Sequence, residues 1–573
     1  MRILGLSGLS HNTAAALLTE KGIAAAFEES KLTRARKAAG IPREAIQYVL
    51  GPDGWNGLNG VAVAYRPVRA WSRHLWLRAR RLPVAPLSSV YYQLRALGNV
   101  GRELNNDRIL RILCGSAATP IYHVEHHLSH AASAFYASPA ERALILTLDE
   151  LGDGWAGAVV LGEGTRMRML DAIPFPHSPG WIFSQITDLI GFQAHQDEHK
   201  TQWLGLEGDP VFEKLFLEML RPRPGDLPRL SSRYFNRNLA GKLAFSPLFY
   251  REIGVDPVTM KGAVSTAPSQ PLAEPLRRQL AASVQQACAT IATEIAERYR
   301  KQFGVEDLCL AGGVFLNPVV VSQVEQNAGF ARVHVQPAAG NEGTALGAAW
   351  YVRHHLQNGP RNPPADHVYL GPAYSNQDIK AILDNCKVRY HFYNSDIDKI
   401  EDTLRLLTAG KIVAWYQGPA EFGPRALGNR SLLASPWADY VKENLNDYVK
   451  HRESFRPFGI SVLAERAAEF FDASPSARFM TTLGVAKPAA RELLKGFLLP
   501  GDRVRLHVVE KEANPALWQL LEHFGRQAPA PMLVNASFNL FGEPLVASPR
   551  DAIRSYFCSG IDALIIGSFS LVK

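Results

Sequence analysis

The sequence lacks any cysteine pair at metal-binding or redox spacing; its five cysteines, Cys114, Cys288, Cys309, Cys386 and Cys558, are scattered. That excludes a zinc ribbon and a disulfide framework, and suits buried thiols in a reducing compartment. No apolar run is long enough to span a bilayer, and the start, MRILGLSGLSHNTAAALL, is interrupted by polar residues where a signal peptide would be continuous. A cytoplasmic protein without a membrane partner is expected. Also missing are the GxxxxGK[ST] phosphate loop, the GxSxG nucleophile elbow and the HExxH zinc helix, which sets aside P-loop NTPases, α/β-hydrolases and zincins.

What is present is an ordinary globular composition, 47% hydrophobic and 20% charged, over 573 residues. That length is too great for one core, so two or more domains are expected. The net charge is +8, from 62 basic and 54 acidic residues, and basic residues concentrate between Tyr65 and Arg111. RNA-stacking aromatic patterns are absent there, so the segment reads as a solvated, Arg-rich helical insertion in preference to a nucleic-acid surface.

A three-strand pattern occurs twice. RILGLSG, AAALLTE and IAAAFEE form the first copy, and ALILTLD, WAGAVVLG and RMRMLDAIP the second, joined by Gly-rich or polar turns. A β-meander opening each half is how the duplicated actin/sugar-kinase fold begins. Apolar residues at helical spacing (Leu280, Val284, Ala287, Ile291, Ile295) predict a helix from Gln270 to Phe303. The glycine turns LAGGVFLN and PAAGNEGTALG follow, where Gly312, Gly313, Gly340 and Gly343 would let a backbone approach a ligand closely; tight αβ packing explains them equally well. NGPRNPPADH reads as a linker. Beyond it, HVYLGPAYS, KIVAWYQG, PMLVNASFN and ALIIGSFSLVK read as strands, with helical segments near Ala438 to Val449. These make a second α/β domain of ordinary size.

Two constellations carry chemistry. IYHVEHHLSHAASAFY places four histidines within eight residues. Both His126/His130 and His123/His127 have the i, i+4 spacing of metal ligands, so spacing leaves both pairs open. Asp149 and Asp153 could add carboxylate oxygen, and a His/Asp set without cysteine points to iron, manganese or zinc. In the second domain EFGPRALGNRSLLA and VKHRESFRPF gather Arg425, Arg430, Lys450, Arg452 and Arg456 around glycine and proline turns. This pattern suits crowded phosphates, although helix-end cations would account for Lys450 and Arg452 alone. NASFN offers Asn535, Ser537 and Asn539 as neutral hydrogen-bonding partners.

Taken together, EFGPRALGNRSLLA, VKHRESFRPFG, NASFNLFGEPLV and HHLSHAASAFY resemble the O-carbamoyltransferases of antibiotic tailoring and nodulation-factor decoration, from the first strand to the last. EHKTQWLGLEGDP and LAGGVFLN look like further motifs of that family. The resemblance implies an α/β protein with an N-terminal duplicated actin-like domain (1–358), a linker (359–376) and a C-terminal YrdC-like domain (377–573). It further implies a carbamoyl-adenylate made from carbamoyl phosphate and ATP in the second domain, and an iron-assisted transfer of carbamoyl to a small-molecule hydroxyl or amine in the first. On matching motifs, Arg425, Lys450, Arg456, Arg505 and Ser537, with Asn535, would hold carbamoyl phosphate and ATP. His126, His130 and Asp149 would hold Fe(II) or another divalent metal, His11 and Arg36 would be catalytic, and Gly312, Gly313, Asn317, Gly340 and Gly343 would face a nucleotide. Four positions depart from the family pattern. Asn12 and Asn341 stand for aspartates, so Asn341 would be a weaker, neutral metal ligand. Arg36 stands for a lysine, and Val321 for an asparagine. A tRNA-modifying enzyme, an actin-like kinase or ATPase, and an ATP-binding partner protein with a decayed transfer site are the competing expectations. The acceptor is not legible, and a homodimer is compatible with the sequence.

Overall fold

The computed structural model describes residues 1–66, 105–106, 108–115, 119–221, 226–237, 243–255, 272–364 and 366–573. Most of the Arg-rich segment between Tyr65 and Arg111 lies outside these described residues. The chain divides into two compact units, Met1–Leu9 with Asp53–Pro363, and Ser10–Pro52 with Pro364–Lys573. The second unit thus includes an N-terminal piece, Ser10–Pro52, which the sequence reading groups with the first domain.

The first three-strand pattern folds as β1 (Arg2–Leu6) in the first unit and the antiparallel hairpin β2 (Ala14–Thr19) and β3 (Gly22–Glu28) in the second. Two short helices follow, α1 (Glu29–Thr33) and α2 (Arg43–Leu50). Pro42 gives α2 no side-chain cap, so the buried Glu29 carboxylate does the work by accepting the N–H groups of Glu44 and Ala45. In the first unit β4 (Gly60–Val63) pairs in parallel with β1, and β5 (Ile121–His123) with β4. Helix α3 (His126–Phe135) comes next.

The second copy folds as the meander β6 (Arg142–Gly152), β7 (Trp155–Glu163) and β8 (Arg166–Pro174). A short hairpin, β9 (Phe235–Arg237) with β10 (Leu243–Phe245), precedes the 30-residue helix α4 (Glu274–Phe303). The periodic positions Leu280, Val284, Ala287, Ile291 and Ile295 are all buried on α4, and Gly304 ends the helix in the left-handed region. Strands β11 (Asp307–Ala311) and β12 (Arg332–Val335) complete a sheet of order β12-β11-β6-β7-β8, parallel across β12-β11-β6 and antiparallel beyond. A parallel trio and a hairpin therefore occur in both copies, the duplicated arrangement expected of an actin-like fold. Helix α5 (Thr344–Trp350) closes the first unit against α3 and β1. Its approach is so close that a Cβ on Gly347 would stand 1.7 Å from the Ser129 carbonyl oxygen.

In the second unit ten strands form one sheet: β13 (His391–Phe392), β14 (Val413–Tyr416), β15 (Arg430–Ala434), β16 (Gly459–Leu463), β17 (Phe471–Asp472), β18 (Gly484–Ala486), β19 (Arg503–Val509), β20 (Met532–Ser537), β21 (Ala563–Ile566) and β22 (Phe569–Val572). HVYLGPAYS is not a strand: it runs beside the loop Ala420–Phe422 through a few backbone bonds, and Pro372 has no N–H to extend a ladder. Strand alternation splits the core between two faces. Ala414, Tyr416, Ile460, Val462, Val504, Leu506, Val534 and Leu564 pack on one. Val413, Trp415, Leu433, Leu463, Val509 and Leu533 pack on the other with the helix Pro515–Gln527. On that second face the alternation runs on through Gly459 and Ser461 on β16, Arg505 and His507 on β19, and Asn535 and Ser537 on β20; Gly459 pairs with Arg505 and Asn535, and Ser461 with His507. One end of an otherwise apolar face is thereby made polar.

Replacing Gly347 by Val should force α5 off α3 and destabilise the first unit by about 1–3 kcal/mol, read as a lowered melting temperature of the full chain.

Candidate functional site

Helix α3 and strand β6 bring three ligand-type atoms together in the first unit. His126 Nε2 and His130 Nε2 lie 3.1 Å apart, and each is within 3.3 Å of Asp149 Oδ2. These atoms converge within 4.8 Å of one another, and both imidazoles are buried. The structure separates the two histidine pairs that spacing leaves open. His127 turns the other way, bonding Thr147 Oγ1 (2.9 Å) and the Trp155 carbonyl (3.2 Å), and His123 bonds the Tyr65 carbonyl. Asp153 also stands apart, since its carboxylate accepts the N–H groups of Arg66 and His126 and so fixes the start of α3.

Burial pushes the Asp149 carboxyl up, but hydrogen bonds from His126 and His130 overturn this and hold it well below the usual carboxylate range. Burial pulls His126 down, and Asp149 together with Asp153 and Glu125 more than offsets it, so its pKa is raised; His130 remains lowered by burial. Two imidazoles and a carboxylate without thiolate are a donor set for a divalent ion such as iron, manganese or zinc. Glycines give the trio its room. Gly312, at φ +102, passes so close to Leu148 that a Cβ would stand 2.2 Å from its carbonyl oxygen, and on Gly313 it would stand 2.9 Å from Asp149 Oδ1. Asn341 donates to the Gly8 carbonyl (2.8 Å). Its Oδ1 and His126 Nδ1 both crowd Gly8, at 2.8 and 3.5 Å from where a Cβ would be. Gly340 and Gly343 flank the Asn341 turn, Gly343 within 2.0 Å of the Ala338 carbonyl by the same measure. Asn317 is held elsewhere, capping the helix Pro318–Asn327 and donating to Gln285. His11 and Arg36 are exposed and belong to the second unit, with Arg36 beside Gly542.

The polar end of the second unit's sheet carries the cations. Burial lowers Arg425 to about 10 and Arg452 to about 9, the latter also through Arg456. Lys450 and Arg505 fall well below their usual values, by burial and then by neighbouring arginines: Arg452 and Arg456 act on Lys450, and Arg425, Arg452 and Arg456 on Arg505. Five basic side chains therefore repel one another in one crevice. Glu453 pairs with Arg456 at 3.7 Å, whereas Arg505 has no carboxylate within ion-pairing distance among the described residues. Lys450 has neutral partners, the Ser537 carbonyl and hydroxyl and both oxygens of Asn539. Asn535 donates to the Ala426 carbonyl, Ser461 Oγ and His507 Nδ1 beneath the cluster. Arg430 is not part of it: fully buried and stacked 3.6 Å from the Tyr416 ring, it binds the carbonyls of Gln417, Gly418, Asn429 and Pro372.

Sequence reasoning passes over Glu421, whose buried carboxylate accepts the N–H groups of Leu427, Asn429 and Arg430 and so shapes the Arg425 loop. The signal was the acid opening EFGPRALGN, an unusual residue to bury without an ionic partner.

Comparison with known proteins follows the same division. The carbamoyltransferase N-terminus family model matches residues 92–350, and the carbamoyltransferase C-terminus model residues 404–573. The chain is 32% identical to an uncharacterised protein of Synechocystis sp., over all of this chain and 96% of that one. It is 31% identical to the nodulation protein NolNO of Sinorhizobium fredii, over 98% of this chain and 79% of that one. The crystal structure of T. kodakarensis HypF overlaps 62% of this chain and 48% of its own at 15% identity, with a TM-score of 0.32, a likeness too loose to carry an argument.

Substituting His126 or His130 by Ala should abolish metal retention after purification, while His127→Ala should lower the melting temperature and leave the metal in place; elemental analysis separates the two. His507 is held by burial at about 3, below its ordinary 6.5. The unfolded chain therefore takes up a proton that the folded chain refuses, and stability must fall as pH drops from about 6.5 towards 3, by up to about 1.4 kcal/mol per pH unit. Thermal melts of His507→Gln should show a flatter acid limb than wild type.

Proposed function

This chain belongs to the carbamoyltransferase family, and we propose that it acts in the cytoplasm to move carbamoyl from carbamoyl phosphate, through a carbamoyl-adenylate made with ATP, to a hydroxyl or amine of a small-molecule natural product. The observation that carries this reading is the crevice of the second unit, where Arg425, Lys450, Arg452, Arg456 and Arg505 crowd together and Arg505 has no carboxylate within ion-pairing distance among the described residues. Such a cluster is costly when empty and suited to a ligand bearing several negative charges. In adenylation both substrates are phosphates, and charge builds on the departing pyrophosphate. Arg505, Arg425 and Arg456 would neutralise that charge from fixed positions, which is the favourable arrangement for catalysis. Lys450 would hold Ser537 and Asn539 in place, and Asn535 would line the floor.

For transfer, His126, His130 and Asp149 would hold a divalent ion, which we take to be Fe(II), with the Asn341 amide oxygen as a neutral addition. An ion there supplies Lewis-acid polarisation of a bound carbonyl or phosphate. The turns at Gly312–Gly313 and Gly340–Gly343 border Asp149 and Asn341 and would admit the nucleotide phosphates. His11 would take the proton of the acceptor hydroxyl or amine as its oxygen or nitrogen attacks the carbamoyl carbon, and Arg36 would steady the leaving nucleotide. The small-molecule acceptor follows from the motif resemblance to enzymes of antibiotic tailoring and nodulation-factor decoration, and a nodulation protein is among the chain's relatives.

Incubating the full chain with carbamoyl phosphate, ATP and Fe(II), without acceptor, should yield pyrophosphate and carbamoyl-AMP by mass spectrometry. Arg505→Ala should lower that rate by about 100-fold or more. ATP binding without any pyrophosphate that depends on carbamoyl phosphate would overturn the mechanism.

A further inference from the structure

Helix α1 contributes nothing to the crevice by the sequence motifs, yet it grips both loops that frame it. The Lys31 ammonium is buried, donates to the carbonyls of Glu421 (2.8 Å) and Gly423 (2.7 Å), and lies 2.8 Å from Glu28 Oε1. Glu28 in turn accepts the Gly423 N–H at 2.8 Å. Gly423 is therefore held by its N–H and its C=O together, at a φ of +107° that favours glycine. Pro424 follows with its fixed φ, so the orientation imposed on Gly423 passes through one stiff residue to Arg425.

Three residues beyond Lys31, Arg34 holds the other loop. It donates to the carbonyls of Leu545 (2.6 Å) and Pro544 (2.7 Å) and to Glu543 (3.1 Å). The Glu543 carbonyl accepts from Asn539, whose side-chain oxygen accepts from Lys450. The short helix and the Arg34 that caps it are thus bonded to the Arg425 loop on one side and to the Lys450 network on the other. The same stretch continues directly to Arg36.

We propose that Lys31, assisted by Arg34, is a positioning residue for the anion crevice. It fixes the Gly423–Arg425 turn so that the Arg425 guanidinium is aimed at a bound polyphosphate, and it links occupancy of the crevice to the segment bearing His11 and Arg36. The proposal rests on the anion-site reading above. It differs from a merely structural role, because a buried ion pair that only stabilises the fold would alter melting and leave ligand affinity alone.

The test uses the full chain and pyrophosphate as the probe, titrated calorimetrically at a temperature well below the melting point of every variant. Lys31→Met, folded by circular dichroism, should bind pyrophosphate about tenfold or more weakly than wild type, with faster hydrogen exchange across Gly423–Leu427. Glu28→Gln retains an acceptor for the Gly423 N–H and should lose less. Pyrophosphate should slow exchange over Glu29–Arg36 in wild type. Should Lys31→Met fail to fold, Arg34→Gln carries the same comparison. Wild-type affinity in a folded Lys31→Met overturns this proposal alone. A wild-type chain that binds no pyrophosphate overturns the anion-site reading and this proposal with it.

Discussion

A crowd of like charges, with Glu453 paired to Arg456, is what the second unit is built around. Arginines and a lysine whose pKa values are lowered by burial and then by neighbouring arginines would scatter if their backbones were free to move, because removing a cation from water costs several kcal/mol. The surrounding structure withholds that freedom. The sheet supplies rigid strands, with Gly459 flanked in register by Arg505 and Asn535. Glu421 folds the preceding loop around its carboxylate, and Lys450 is anchored by carbonyl and amide oxygens. Most of these partners are neutral or face away from the cations. The crevice keeps its positive field while its geometry is fixed, which is what preorganised binding of a polyanion requires.

The metal-type trio in the first unit follows a different economy. There a carboxylate sits between two imidazoles, and the three groups satisfy one another through hydrogen bonds at 3.1 to 3.3 Å. Such a cluster satisfies much of its own hydrogen bonding, and its donor set is the one proposed above for a divalent ion. Its neighbours Gly8 and Gly313 are residues whose replacement would fill the space beside it. The two clusters therefore differ in kind: one gathers charge of a single sign, the other balances a carboxylate against two imidazoles.

The fold was largely legible in the sequence because its periodicities are strong. The two meanders, the long helix α4 and the late apolar strands all stood out, and α4 begins and ends close to its predicted span. HVYLGPAYS misled because a short apolar run with a proline satisfies a strand pattern without being able to build a ladder. At the sites, residue type and motif identified the cations and the histidine cluster, but two imidazole pairs shared one spacing, and only the side-chain directions of His126 and His127 distinguish them. Arg430 looked like its neighbours in EFGPRALGNR; its stacking on Tyr416 and its carbonyl partners are tertiary facts with no local signature. Lys31 was invisible for the same reason, its carbonyl partners on Glu421 and Gly423 lying far along the chain, whereas Glu421, which binds N–H groups only a few residues on, was within reach of a local reading.

The most direct measurement is a crystal structure of the full chain grown with pyrophosphate. The anion is expected in the second unit's crevice, with its oxygens within hydrogen-bonding distance of Arg425, Arg456 and Arg505. An anion bound elsewhere on the chain, with the crevice unliganded at saturating pyrophosphate, would contradict it.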